Sequence, residues 1–205
     1  MIDLYYWGTP NGKKISIALE EMKLDYRILS INISENDQFQ PDFLKISPNN
    51  KIPAIVDQDG PYGQAISIFE SGAILQYLGR KTGLFYPSEE QQRVEVEQWL
   101  MWQMGGLGPM LGQNHHFNKF APEKIPYAAN RYINESKRLY GVLDRQLIGQ
   151  DYVAGDYSIA DMAIFPWLLS YQWQSIDIEE FPNVKAYIDR INARPAVQKA
   201  LAIKV

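Results

Sequence analysis

The chain has no cysteine among its 205 residues. Disulfide staples, thiolate metal sites and a protein-borne thiol nucleophile are thereby excluded. A basic excess is missing too. There are 24 acidic side chains against 20 basic ones, a formal net charge of −4, so nothing marks a nucleic-acid binder. No apolar run reaches the length of a membrane span. The opening Met1-Ile2-Asp3-Leu4-Tyr5-Tyr6-Trp7 lacks the basic start and cleavage site of a secretory leader, and a cytoplasmic protein is the expectation. Internal repeats and low-complexity segments are also absent. The two histidines, His115 and His116, are neighbours. Adjacent side chains in regular structure diverge, and no carboxylate lies at close ligand spacing, so no metal centre is expected.

What is present reads as two domains. Ile2 to Trp7 forms an aromatic-rich strand, broken by Thr9-Pro10-Asn11-Gly12. From Lys13 the period changes: Ile15, Ala18, Leu19 and Met22 fall at the spacing of an amphipathic helix. Tyr26 to Ile31 is a second strand, and strand–helix–strand at this spacing makes a parallel βαβ unit. A short helix over Pro41 to Ile46 precedes a hairpin of Ala54–Val56 and Ala65–Ile68. A helix then runs from Ser71 to about Lys81, with Gly83 as its left-handed stop. Beyond a linker at Leu84–Ser88 the pattern is wholly helical. Glu89 to Met104 is helical until Gly105-Gly106-Leu107-Gly108-Pro109 bends or breaks it. Pro126 opens a long helix, Ser158-Ile159-Ala160-Asp161 caps a buried one, and helices over 182–194 and 195–201 close the chain. The expectation is a small α/β domain over 1–83 and an all-helical one over 89–205.

Three polar pieces punctuate the first domain: Gly8-Thr9-Pro10-Asn11-Gly12, Asn49-Asn50-Lys51-Ile52-Pro53, and Glu70-Ser71. Pro53 suits the first residue of a strand and holds Ile52 extended. An extended residue beside a sheet edge can lend its backbone to a ligand as an added strand does. A helix start such as Ser71 offers free N–H groups and partial positive charge to an anion.

With these motifs in this order, the chain resembles a glutathione transferase over its whole length. The segments Thr9-Pro10-Asn11-Gly12, Ile46 to Ile55 and Gly105 to Phe117 are similar to the bacterial nu-class enzymes, which reduce disulfides with glutathione. The resemblance implies a thioredoxin-like first domain followed by an all-helical one, a homodimer, and a site for two glutathione molecules or one glutathione disulfide. It implies that Glu70 and Ser71 hold the γ-glutamyl end, where the alternative is a plain helix cap. It implies a cis Ile52-Pro53 bond, with the Ile52 backbone on the cysteinyl unit and with Lys51 and Gln38 near the glycine carboxylate. Surface solvation is the alternative for both polar side chains. Thr9 and Asn11 would be the catalytic pair facing the ligand sulfur, where the alternative is turn chemistry. Tyr5 and Tyr6 are rivals but lie within the strand. Arg131 would reach glutathione in the partner subunit.

The remaining readings are local. Gln113, Asn114 and Phe117 are expected to line the substrate pocket. Asp161 reads as a structural cap, the stripe of Trp99, Trp102 and Trp167 as core, and Lys13 and Lys14 as exposed lysines at the first helix start. The reaction expected is disulfide reduction by glutathione thiols on a small-molecule substrate. Conjugation to an electrophile, peroxide reduction, and a non-catalytic glutathione-binding protein are the competing readings.

Overall fold

The computed structural model describes residues 1–205. They divide into two compact units, 1–84 with 194–205, and 85–193.

In the first unit, β1 (Ile2–Tyr6), α1 (Pro10–Glu21) and β2 (Tyr26–Ser30) make the expected βαβ step, with β1 and β2 parallel. Helix α2 (Pro41–Leu44), strands β3 (Ala54–Asp57) and β4 (Ile66–Phe69), and helix α3 (Ser71–Thr82) follow. The sheet order is β2-β1-β3-β4, with β3 antiparallel to both neighbours. This is the thioredoxin-like arrangement. Alternation along β1 buries Ile2, Leu4 and Tyr6, and the helical period of α1 buries Ile15, Ala18 and Leu19. Ile74, Leu75 and Leu78 of α3 are likewise fully buried. Each such aliphatic side chain contributes roughly 1.5–3 kcal/mol. Gly83 ends α3 with φ +70, as its position predicts.

The second unit is helical: α4 (Glu90–Trp102), α5 (Gly108–His115), α6 (Pro126–Gln146), α7 (Ile159–Leu168) and α8 (Pro182–Asn192). The Gly-Gly-Leu-Gly-Pro run does not break the chain direction. A π-helical turn, Gln103–Leu107, carries α4 into α5. The wider turn accommodates Pro109, which has no N–H to give an α-helical ladder. Space is tight at the start of α5: a Cβ on Gly108 would stand 2.7 Å from the Gln103 side-chain nitrogen and 3.2 Å from its backbone oxygen. Every residue of α7 is buried, as its all-round apolar sequence requires. Asp161 is its cap: the carboxylate accepts from Ser158 N–H at 2.8 Å, Val153 N–H at 3.0 Å and the Tyr187 hydroxyl at 2.9 Å.

Two expectations need correction. Helix α9 (Pro195–Leu201) does not stay with the second unit; residues 194–205 join the first. Arg194 grips Glu21 through two bonds, at 2.6 and 2.9 Å, and Lys199 meets Glu20 at 2.7 Å. Val197 and Ala200 are buried there. Of the tryptophan stripe, only Trp167 is core; Trp99 and Trp102 are half-buried and meet edge to face at 5.2 Å. No helix is long and apolar enough to cross a membrane.

Candidate functional site

Strand register brings the three polar pieces of the first unit together. Tyr5 near the end of β1 lies opposite Ala54 at the start of β3. Ala54 in turn lies opposite Phe69 at the end of β4. The turn after β1, the Ile52-Pro53 step and the Glu70-Ser71 step therefore leave the same end of the sheet. Strand β2 is parallel to β1 and ends there too, leading toward Gln38. Both α1 and α3 begin at this end, so their N–H groups and partial positive charge converge on it.

Each piece is locally determined. Thr9 is the N-cap of α1: its Oγ1 accepts from Gly12 N–H at 3.2 Å. With the oxygen accepting there, the hydroxyl proton is left to donate elsewhere. Gly12 is required, since a Cβ would stand 2.2 Å from the Trp7 carbonyl oxygen. Asn11 is half-buried in the first turn. The Ile52-Pro53 bond is cis. The approach to it is fixed by Ser47, whose hydroxyl donates to the Lys51 carbonyl at 2.8 Å, and by an Asn50 N–H bond to Ser47 O at 2.9 Å. Ile52 stands outside the β3 ladder, which begins at Ala54, and the Lys51 side chain is exposed. Gln38 is half-buried, and its Oε1 is buried without a hydrogen-bond partner within the chain.

The Glu70-Ser71 step departs from a plain cap. Glu70 occupies the N-cap position of α3 but makes no side-chain cap bond, and its backbone has φ +69. Its carboxylate is exposed, while Ser71 is buried. Behind Ser71 lies a residue expected on the surface. Lys14 is 1% exposed, and its Nζ lies 3.3 Å from Ser71 Oγ. Burial pushes the Lys14 ammonium down to about 7, with the Glu70 carboxylate pulling the other way. A usable signal was in the sequence: Lys14 stands four residues before Ala18, on the apolar face of α1. The rival tyrosines differ in burial. Tyr6 is fully buried, and Tyr5 is half-buried with its ring 5.8 Å from Phe43.

In the second unit the expected pocket residues separate. Gln113 is exposed and Phe117 half-buried, stacked on Tyr132 at 5.4 Å. Asn114 is a correction. It is fully buried, donates to Ser136 Oγ at 2.8 Å and Gln174 O at 3.0 Å, and accepts from Asn118 at 2.6 Å. Those bonds tie α5 to α6 and to the segment after α7, so it has no face left for a substrate. His115 points inward, 3.2 Å from the Gln174 amide, with burial lowering its pKa. His116 is exposed, so the pair diverges, and no group of three His, Asp or Glu is placed to hold a metal. Arg131 is exposed and lines a cleft of about 840 Å³ on α6 with Tyr127, Tyr132 and Arg138.

This geometry defines a cysteine-free thioredoxin-like unit with an anion-seeking end, followed by a helical unit. The model of the glutathione S-transferase N-terminal domain matches residues 2–80, and that of the C-terminal domain matches 115–195. The chain belongs to the glutathione S-transferase family. It is 54% identical over 205 residues to the disulfide-bond oxidoreductase YfcG of Escherichia coli, covering 98% of this chain and 94% of that one. A glutathione transferase family member from Pseudomonas fluorescens, solved with two glutathione molecules bound, is 46% identical with a TM-score of 0.94, over 99% of this chain and 93% of that one. A glutathione transferase from Pseudomonas putida, with one glutathione disulfide per subunit, is also 46% identical, with a TM-score of 0.95 over 100% and 92% of the two chains.

Proposed function

We propose that this protein is a glutathione-dependent disulfide-bond oxidoreductase, binding two glutathione molecules or one glutathione disulfide at the end of the sheet described above. The observation that carries the reading is the combination of that end with a chain that has no cysteine. A thioredoxin-like fold that reduces disulfides without its own thiol must take both thiols from its substrate. One glutathione thiolate attacks a disulfide sulfur, breaking the S–S bond and releasing one thiolate of the target. A second glutathione thiolate attacks the mixed disulfide, releasing the other target thiolate and leaving glutathione disulfide. Two electrons pass from two thiols to one disulfide.

The protein supplies position and charge. Glu70 pairs with the γ-glutamyl ammonium, and Ser71 with the N–H groups opening α3 takes the carboxylate. The Ile52 backbone receives the peptide, with Gln38 and Lys51 at the glycine end. Thr9, whose oxygen is already occupied by Gly12 N–H, turns its proton toward the sulfur. Asn11 stands two residues further on. A free thiol titrates near ~8.5, so only a few per cent is thiolate at neutral pH. Lowering that value by about two units requires roughly 2.7 kcal/mol of preference for the anion. One hydrogen bond to a charged group, about 1.5–3 kcal/mol, is of that size. Gln113 and Phe117 are the helical unit's candidates for substrate contact. The active form is a cytoplasmic homodimer in which Arg131 comes from the partner subunit.

A side-by-side assay tests the reading: reduction of a small disulfide with glutathione as the only thiol, conjugation to chlorodinitrobenzene, and peroxide turnover. Disulfide reduction should dominate. Dominant conjugation or peroxidase activity would move the protein to another chemistry of the same family, and no turnover with intact glutathione binding would make it a binding protein.

A further inference from the structure

We infer that His115 is an acid-sensitive latch: on taking up a proton it unfastens the Tyr171–Gln174 turn from the rest of the helical unit. The latch is independent of the chemistry proposed above, since no step there uses this buried imidazole.

Residues 171–174 form a short 3-10 turn, and its last residue fastens it to three helices. Gln174 is fully buried. Its backbone carbonyl accepts from Asn114 Nδ2 on α5 at 3.0 Å. Its side-chain nitrogen donates to the Trp167 carbonyl on α7 at 2.8 Å, and its Oε1 accepts from the Tyr140 hydroxyl on α6 at 2.7 Å. A backbone carbonyl can only accept, so the Trp167 bond fixes which way the amide points. The second amide proton is then left for His115, whose Nε2 lies 3.2 Å away. That ring nitrogen must accept, and the neutral imidazole therefore carries its proton on Nδ1.

A second proton on this ring has no acceptor. It would set an N–H against an NH2 at 3.2 Å, donor against donor. Turning the amide over gives no escape, because Oε1 would then stand 2.8 Å from the Trp167 carbonyl oxygen. Little water is at hand to replace the lost bond: His115 is 9% exposed and lies beside the Trp167 and Trp173 rings, at 6.0 and 6.1 Å. The conflict is relieved when the turn lifts away and the charged ring meets solvent. Trp173 leaves with it, parting from Phe120, which its exposed ring meets edge-on at 6.1 Å. Phe120 ends the π-helical turn His116–Phe120, so the release reaches that turn too.

No charge nearby offsets this. On α6, Glu135 is taken up by Arg138 at 2.7 and 2.8 Å, Arg131 is exposed, and the Tyr140 phenol is held neutral by burial. On α7, Asp161 is occupied by its own cap. The turn after α5 carries His116 and Lys119, both exposed, and residues 171–174 carry Tyr171 and no charge. Burial is what shifts His115, and it does so downward. The sign follows. The closed form holds its proton less well than an ordinary imidazole, which titrates near ~6.5. Closure is therefore complete above that value. As pH falls below it, the open form gains a proton that the closed form refuses, and closure weakens by up to about tenfold per unit until the lowered value is passed.

Two measurements on the full chain test the latch. Nitrogen-15 spectra of the histidine rings at about pH 7.5 should show the His115 proton on Nδ1. Amide hydrogen exchange, corrected for its intrinsic pH dependence, is then followed by mass spectrometry from about pH 7.5 to 4.5. Opening of peptides over residues 170–177 should be level above about pH 6.5 and rise by up to about tenfold per unit below it. Peptides of α1 and α7 should show no such rise. His115→Gln keeps an acceptor near the place of Nε2 and does not titrate, so its 170–177 profile should stay level. His116→Gln should behave as the wild type does. A proton on Nε2 at neutral pH overturns the inference without recourse to any variant. So does a level wild-type profile, a rise shared by α1 and α7, which is general acid unfolding, or an acid rise that persists in His115→Gln.

Discussion

Thr9→Ala separates two jobs of one hydroxyl, one seen in the structure and one proposed. The oxygen caps α1 by accepting from Gly12 N–H at 3.2 Å. The proton, on the proposed mechanism, stabilises a ligand thiolate. Losing the cap should cost about 1 kcal/mol of folding stability, which in a chain of this size lowers Tm by roughly 2–4 °C. Losing a hydrogen bond to a charged sulfur removes about 1.5–3 kcal/mol from the anion. At 1.36 kcal/mol per unit, that raises the thiol pKa by about one to two units. The assay is disulfide reduction with glutathione as the only thiol, across pH, beside a thermal melt. The pH–rate midpoint should move up by that amount, and turnover at neutral pH should fall. Thr9→Ser should return both readouts to wild type, because it keeps oxygen and proton. Tyr5→Phe and Tyr6→Phe should leave the midpoint in place. A lowered Tm with an unmoved midpoint would mean that Thr9 is a cap and nothing more, and that the thiolate is stabilised elsewhere.

Other consequences are as direct. Ser71→Ala should weaken glutathione binding by about 1–3 kcal/mol, and unchanged affinity by calorimetry would remove the γ-glutamyl assignment. Glu70→Ala should weaken glutathione binding by about 1–3 kcal/mol, and unchanged affinity would deny Glu70 its role. Arg131→Ala should lower affinity for glutathione disulfide while sedimentation still shows a dimer, and a fully active monomer would refute that assembly. Asp161→Ala should destabilise by about 3–5 kcal/mol, because it strands Ser158 N–H, Val153 N–H and the Tyr187 hydroxyl in the interior. A urea midpoint near wild type would contradict the cap.

Where local rules act alone, the fold was readable from the residues. Period two in Ile2–Tyr6 and period 3.6 in α1 gave the βαβ step, and Gly83 gave the end of α3. The Ser158–Asp161 box gave the start of a buried helix. What local rules do not contain was missed. Helix α9 looks like one more closing helix, and its return to the first unit depends on Arg194 meeting Glu21, a pairing that no short window displays. Gly105–Pro109 reads as a bend or a break without telling which, because a π-helical turn has no sequence signature separate from the glycine and proline that it accommodates. Asn114 looks like a pocket residue, because side-chain polarity says nothing of partners; its amide is satisfied from α6 and from the segment after α7.

The site's outline was legible for a topological reason, and its chemistry less so. Three polar pieces separated along the chain could be suspected of meeting, since turns at one end of a sheet must. The register through Tyr5, Ala54 and Phe69 makes them neighbours. The setting of Lys14 and of Glu70 was harder to read. A lysine in a first helical turn reads as solvated unless its place on the apolar face of α1, four residues before Ala18, is weighed, and it is buried in the structure. Glutamate before serine at a helix start reads as favourable dipole chemistry, yet Glu70 makes no side-chain cap bond and sits at φ +69, where a side chain is strained. Stability alone would not keep an exposed glutamate at that φ. On the proposed function, a ligand ammonium at the same spot supplies the reason.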